Sequence, residues 1–335
     1  PLGRLADKIG KWVMLPVMIP LRILYYGIIS IIPQPIWLYP AQVIQANASV
    51  GVVTTKHAIA SDLASEVPSR RGEILGRHLT AVSLGMMAGP FLGSVLINYL
   101  SYRQMIMLTS IFPLCGLLIF LLFRSRHRQS SRPGIGKKLN TFSSFKRVIR
   151  NRNVLLLFFA LLTFYIALGA YKAFFPIHAK VSLSLDPAVI SILFAIQGLA
   201  NSLIRVPAGR FSDLIGRKKL FSSSFFVVAF ALFLLSEAHQ LVFLAGGVAL
   251  YGFGWGARAT TFFASVSENI SPEDSGMAMG IASMTMSAGS AIGSIYAGAI
   301  STVLSIPSIL KISALLVVIG ILPVLFFVKE SVATT

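Results

Sequence analysis

Lys56, Lys172 and Arg258 each stand inside a long apolar stretch, and Arg22 stands inside a fourth. A charge within a bilayer is expensive. It faces a bundle interior or a watered path, or its aliphatic stem carries it to the surface. The first placement gives an ammonium or guanidinium that can bind a carboxylate or phosphate. The second gives an anchor. Lys56, Lys172 and Arg258 each lie within about two turns of a span end, where that reach is available, so both readings stand. Arg22 is deeper. The spacing groups these charges with polar and aromatic neighbours on single helical faces: Gln42, Gln45, Ser49 and Lys56; Phe158, Tyr165, Gly169 and Lys172; Tyr251, Trp255 and Arg258. On the first placement, Gln42, Gln45, Lys56, Tyr165, Lys172, Tyr251, Trp255 and Arg258 are the candidates to line a path for a solute.

Other chemistry is missing from the pattern. There is no His-Glu-x-x-His pair, metal-ligand cluster, nucleophile motif or ATP loop. His57, His78, His127, His178 and His239 are scattered, and Cys115 is the one cysteine. Gly134 to Lys137 hints at a phosphate loop, but it lacks the upstream Gly and the following Ser or Thr. The expectation is a protein that is not an enzyme, with no metal and no cofactor. The spans also hold no deep Asp or Glu of the kind that gains and loses a proton in the membrane.

The elements that must position these residues follow from charge spacing. The chain is 55% hydrophobic and only 12% charged, against about 25% charged in soluble domains. Arg103 and Arg124 enclose 20 uncharged residues, Arg152 and Lys172 enclose 19, Asp186 and Arg205 enclose 18, and Lys219 and Glu237 enclose 17. A helix needs roughly 20 apolar residues to cross a bilayer. Ten spans are predicted, at 12–32, 36–60, 74–98, 103–123, 153–177, 187–207, 218–238, 240–262, 275–302 and 307–328. The fold class is an all-α polytopic membrane protein. Of the 29 Lys and Arg, 22 fall in one alternate set of loops, including Arg77 just inside the third span, and three in the other set. The positive-inside rule then places both ends of this chain in the cytoplasm of a cell whose plasma or inner membrane it spans many times.

The net charge of +18 is accounted for by that bias. Residues 124–152 hold ten Lys or Arg and no acid. Ser130, Ser131, Pro133 and Gly134 mark a linker. Phe142, Phe145, Val148 and Ile149, interleaved with Lys146, Arg147 and Arg150, predict a short amphipathic helix on anionic lipid of the inner leaflet. An RNA-binding tail is the rival reading of these charges; no nucleic-acid partner is expected.

Residues 1–11 and 207–217 share Pro, Gly, Arg, Asp, Ile and Gly at a constant offset of 206. The same offset carries Asp62 onto Glu268. A repeat of about 200 residues predicts two pseudo-symmetric helix bundles. The motif, G-x-L-a-D-x-x-G-(R/K) in a short basic loop, resembles the signature of the major facilitator superfamily, and its second copy falls where that family has the loop between its helices 8 and 9. The resemblance covers the whole chain and implies twelve helices in two halves that move a small-molecule solute by alternating access, as a monomer. Four spans precede the basic linker and six follow it. Two helices are thus expected to precede residue 1, a natural ten-helix protein being the alternative. The implied layout is a partial first bundle at 1–123, a basic linker at 124–152 and a six-helix bundle at 153–335. The resemblance also implies a cytoplasmic latch formed by Gly3, Arg4, Asp7, Gly10 and Lys11 in one copy and Gly209, Arg210, Asp213, Gly216 and Arg217 in the other. A charged turn needed only for topology is the plainer reading.

In the third span, Gly85, Gly89, Pro90 and Gly93 form a small-residue face with a kink, either for packing or as a hinge. G-x-x-x-G-P-x-x-G-(G) resembles a motif of the family's antiporters, with Ser94 in place of the final Gly, and the resemblance implies proton-coupled export of apolar or aromatic compounds. The family's Arg in the helix it numbers 4 corresponds here to Gln42, and the Gly four residues on to Ala46, which departs from that pattern. Gly276, Gly280, Ser283, Ser287, Ser294 and Gly298 form a second small-residue stripe, expected to pack. Two further functions remain open: uptake of an organic anion held by Lys56, Lys172 and Arg258, and a membrane sensor that transports nothing.

Overall fold

The computed structural model describes residues 11–32, 34–66, 71–127, 141–271 and 274–328. These form helices α1 (Lys11–Ile31), α2 (Leu38–Glu66), α3 (Arg71–Leu96), α4 (Tyr102–Thr109), α5 (Ile111–His127), α6 (Thr141–Arg150), α7 (Arg152–Ile177), α8 (Pro187–Ile215), α9 (Arg217–Glu237), α10 (Leu241–Asn269), α11 (Ser275–Ile300) and α12 (Ile306–Phe327). Every predicted span is helical, the fourth as α4 and α5 in succession, and there is no strand among the described residues. Helices of this kind satisfy all their backbone groups internally, as hydrocarbon demands. Seven spans are both long and apolar enough to cross a membrane by composition alone. α2, α3 and α11 are long enough at 29, 26 and 26 residues, and α3 carries a shorter apolar stretch at Leu84–Leu96.

Local sequence fixes several helix ends. Ser101 and Gln104 form a reciprocal capping box at the start of α4. Asn151 Oδ1 accepts from the backbone N–H groups of Asn153 and Val154 at the start of α7. Asp186 does the same for Ala188, with Pro187 at the first helical position of α8. α8 corrects the predicted loop at 205–219. The helix continues through Arg205 and Pro207 to Ile215, and the turn shrinks to Gly216, whose φ of 98° suits glycine. A polar residue does not end a helix that emerges from the membrane, because its end is then solvated.

The chain divides into two compact units, Pro1–Val82 with Val95–Lys137, and Ser83–Ser94 with Lys138–Thr335. In unit 1, α1 packs along α2 and touches α4 and α5. Gly51 lies against Met18, and Trp12 stacks on Phe120 with centroids 5.4 Å apart.

Unit 2 pairs α8 with α10 and α7 with α11, while α9 and α12 close against α10 and α7 respectively and against each other. Apolar burial from water does not drive such pairing in lipid, so close backbone approach must. Gly293 and Gly289 of α11 meet the backbone of Ile166 and the Tyr165 side chain on α7, and Gly169 of α7 meets Ser290. Gly252 and Gly256 of α10 sit on the carbonyls of Gln197 and Asn201 on α8. The central part of α3 belongs to unit 2 because Gly198 admits its backbone: a Cβ there would lie 2.7 Å from the Met86 carbonyl. By contrast, a Cβ at Gly85, Gly89, Gly276, Gly280 or Gly298 would meet nothing within 4 Å. The close contacts are made by other glycines than those the two predicted stripes named, and of those stripes Ser294 donates to the Gly169 carbonyl at 3.3 Å.

Candidate functional site

Arg258 is the centre of the polar interior of unit 2. It is 1% exposed, the largest fully buried side chain among the described residues. Its register on α10 puts it opposite Phe164 of α7, near the midpoint of both helices. The guanidinium carbon lies 4.3 Å from the Phe164 ring centroid and 5.3 Å from that of Tyr165. Such desolvated cation–π contacts stabilise by about 2 kcal/mol, but they satisfy no N–H. Arg258 Nε and Nη1 are buried without a hydrogen-bond partner among the described residues. An unpaired buried charge carries a penalty of several kcal/mol. Asp186, Glu237, Glu268 and Asp274, the described acids of unit 2, all stand at or near helix ends.

A second cation stands at the same level on α8. Arg205 Nε donates to Asn201 Oδ1 at 3.1 Å, and Asn201 donates in turn to the Gly252 carbonyl of α10 at 3.3 Å. The Arg205 carbonyl accepts from Thr260 Oγ1 at 3.5 Å. Arg205 is within electrostatic reach of Arg258 and Tyr165. Two like charges thus share one low-dielectric region with hydroxyls and amides around them. An oxyanion would relieve both.

An aromatic layer extends from Arg258 along α7 and α10. Tyr251 is fully buried and stacks on Tyr171 at 4.4 Å. Tyr171 donates to Gln197 Oε1 at 2.8 Å, whereas the Tyr251 hydroxyl has no partner among the described residues. Trp255 is half-buried, and Lys172 Nζ lies 5.2 Å from its ring centroid. The structure therefore brings Tyr165, Tyr251, Trp255, Lys172 and Arg258 into one connected cluster. Phe158 and Gly169, on the same predicted face of α7, are packed into the helix bundle.

Gln42, Gln45 and Lys56 fall in unit 1. Gln42 Nε2 donates to Tyr25 of α1 at 3.2 Å, Gln45 Oε1 is buried without a partner among the described residues, and Lys56 is half-buried within electrostatic reach of Arg22.

The motif residues are placed in part. Gly3, Arg4, Asp7 and Gly10, and the side chains of Lys11 and Asp213, lie outside the described residues. Gly209 is six residues before the end of α8, with Thr260 Cγ2 3.8 Å from where its Cβ would be. Arg210 is exposed. Gly216 makes the turn, and Arg217 pairs with Glu268 at the end of α10, 2.9 Å apart. Gly85 and Gly89 are exposed and Gly93 half-buried, on an α3 that stays helical through Pro90.

The predicted amphipathic helix exists as α6. Val148 is buried in the core of unit 2, and Phe145 and Ile149 are exposed. Arg147 makes a bidentate pair with Asp274, with Nε and Nη2 each 2.7 Å from a carboxylate oxygen. Asp274 is buried, and the guanidinium holds its carboxyl down at about 2, helped by Ser271. The sequence reading missed this pair and also missed Arg205, which it counted as a loop charge. The signal for Arg205 is the i, i+4, i+8 row Gln197, Asn201, Arg205.

The sequence profile of the Major Facilitator Superfamily matches residues 1–182 and again 157–335. Two relatives are similar along much of the chain. An uncharacterised MFS-type transporter of Methanocaldococcus jannaschii is 23% identical over 266 residues, 76% of this chain and 66% of its own length. The staphyloferrin B transporter of Staphylococcus aureus is 24% identical over 308 residues, 90% of this chain and 72% of its own. The probable nitrate transporter NarT of Staphylococcus haemolyticus is 29% identical over 164 residues, 48% of this chain and 41% of its own. The crystal structure of the human organic anion transporter MFSD10 (TETRAN) superposes with a TM-score of 0.68 at 17% identity, covering 96% of this chain and 79% of that one.

Proposed function

The chain belongs to the major facilitator superfamily, and we propose that within it the protein moves a small organic anion across the membrane by alternating access, with Arg258 holding the acidic group. The observation that carries this reading is the Arg258 guanidinium, fully buried, with Nε and Nη1 unpartnered. A site that leaves two charged donors unpaired is poised for a ligand that pairs them. Arg205 adds charge beside it. The similar proteins include a probable nitrate transporter and an organic anion transporter, which supports an anionic solute. Phe164 and Tyr165 close over Arg258 in this conformation, so the state that admits solute requires α7 to shift relative to α10. The end carrying the basic loops faces the cytoplasm in this reading.

Proton-coupled efflux of an apolar or aromatic compound is the second reading. The layer of Tyr171, Tyr251 and Trp255 favours it. One substitution separates the two. In the intact protein reconstituted into liposomes, Arg258→Gln raises the KM for an anionic solute at least tenfold, and Arg258→Lys recovers part of that loss. An apolar solute is indifferent to both changes. Anion uptake with unchanged KM in Arg258→Gln defeats the anion reading.

A further inference from the structure

A second polar site lies in unit 1, independent of Arg258. Arg22 stands eleven residues after the start of α1 and nine before its end, about 16 and 14 Å along the axis. Neither distance is within reach of its side chain, so Arg22 cannot be explained by its stem leading to a membrane surface. Its Nη2 donates to Tyr26 on the same helix at 3.3 Å, and its Nε is buried without a partner among the described residues.

The neighbour across from it is settled by register. α1 and α2 run antiparallel, with Gln42 bonded to Tyr25 and Gly51 against Met18. Three residues on from Gln42 and three back from Tyr25, Gln45 comes level with Arg22. Gln45 Oε1 is also buried without a partner. Residues 11–60 contain no Asp or Glu, and among the described residues the like charge of Lys56 lies within electrostatic reach of Arg22. Among the described residues, an unpartnered cationic donor and an unpartnered amide oxygen thus stand level on two packed helices, near the middle of α1. The amide end that faces Arg22 interchanges by a half-turn, so Gln45 can offer donors as readily as an acceptor.

We propose that Arg22 and Gln45 form a second oxyanion site, contained in unit 1, that takes one carboxylate or phosphate group. Two sources share that chemistry: an acidic group of a transported solute, and the phosphate of an anionic lipid. The site stands apart from the reading of Arg258, so the test is run with Arg258 already replaced. Thermal unfolding of the intact Arg258→Gln protein is followed in detergent against succinate and against inorganic phosphate. Succinate or phosphate raises the midpoint in a saturable way. Adding Arg22→Gln moves the half-saturating concentration up at least tenfold, while Arg22→Lys restores it to within about threefold. Gln45→Leu, which keeps the cation, shifts it in the same direction as Arg22→Gln. The same variants in bicelles of phosphatidylcholine, with and without phosphatidylglycerol, separate the sources. A lipid site shows the Arg22 effect as lost stabilisation by phosphatidylglycerol, and a solute site shows it as lost stabilisation by succinate. The proposal is overturned if Arg22→Gln and Gln45→Leu leave both the anion response and the phosphatidylglycerol response unchanged.

Discussion

Arg147 and Asp274, 127 positions apart in sequence, grip each other through two parallel hydrogen bonds of 2.7 Å. The pair fastens α6, the helix of the basic linker, to the start of α11, and Val148 beside it is buried in the same unit. Asp274 titrates at about 2 against an ordinary 3.8. A depressed carboxylate contributes stability that is fully present above its unfolded pKa and is lost as pH falls through its folded one. The unfolding midpoint of wild type minus that of Asp274→Asn should therefore be a few degrees and constant above about pH 4. It should shrink toward zero as pH approaches 2. A difference that vanishes already at pH 5 would show that the pair does not hold α6.

Glycine contacts give a prediction of opposite signs on one helix. A Cβ at Gly293 would run into the Ile166 carbonyl, whereas one at Gly280 would meet nothing within 4 Å. Overpacking against a backbone costs about 1–3 kcal/mol. Gly293→Ala should lower the unfolding midpoint, and Gly280→Ala should leave it equal or slightly higher, because alanine is the better helix former by roughly 0.5–1 kcal/mol. Equal losses from both would mean that α11 does not use the Gly293 face.

Arg217 and Glu268 stand at positions that the offset of 206 maps onto Lys11 and Asp62. If the motif is a latch, breaking one pair changes the rate of interconversion more than solute affinity. Glu268→Gln should change kcat by severalfold at nearly constant KM, and the swapped double variant Arg217→Glu with Glu268→Arg should recover part of the wild-type rate. A swap no better than either single change would leave the motif as a topological turn.

Helix positions were legible because lipid leaves a strong signature: charge gaps of about 20 residues predict spans, and every one is helical. The end of α8 was not legible, because Arg205 and Pro207 read as a boundary although helix continues to Ile215. Arg258 stood out as a charge within a span. Its orphaned N–H groups could not be read, since whether a partner exists depends on what α7 and α8 bring to it. Arg205 and the Arg147–Asp274 pair were missed for the same reason. Each acquires meaning only from a residue on another helix.

The outer face of α6 should depend on lipid charge. Phe145 and Ile149 are exposed beside Lys146 and Arg150, a pattern that binds anionic interfaces at about 1 kcal/mol per basic residue. Replacing Lys146 and Arg150 together by Gln should abolish any gain in transport rate on going from phosphatidylcholine to mixed phosphatidylglycerol liposomes. A gain that survives the double change would place the lipid effect elsewhere.

The central claim is that Arg258 reads the negative charge of the solute. Its most direct measurement compares initial transport rates of a carboxylate and of its primary amide, equal in shape but neutral, in wild type and in Arg258→Gln. Wild type should prefer the carboxylate by tenfold or more, and the variant should lose that preference while retaining amide transport. A carboxylate preference that survives the loss of Arg258 would contradict the account.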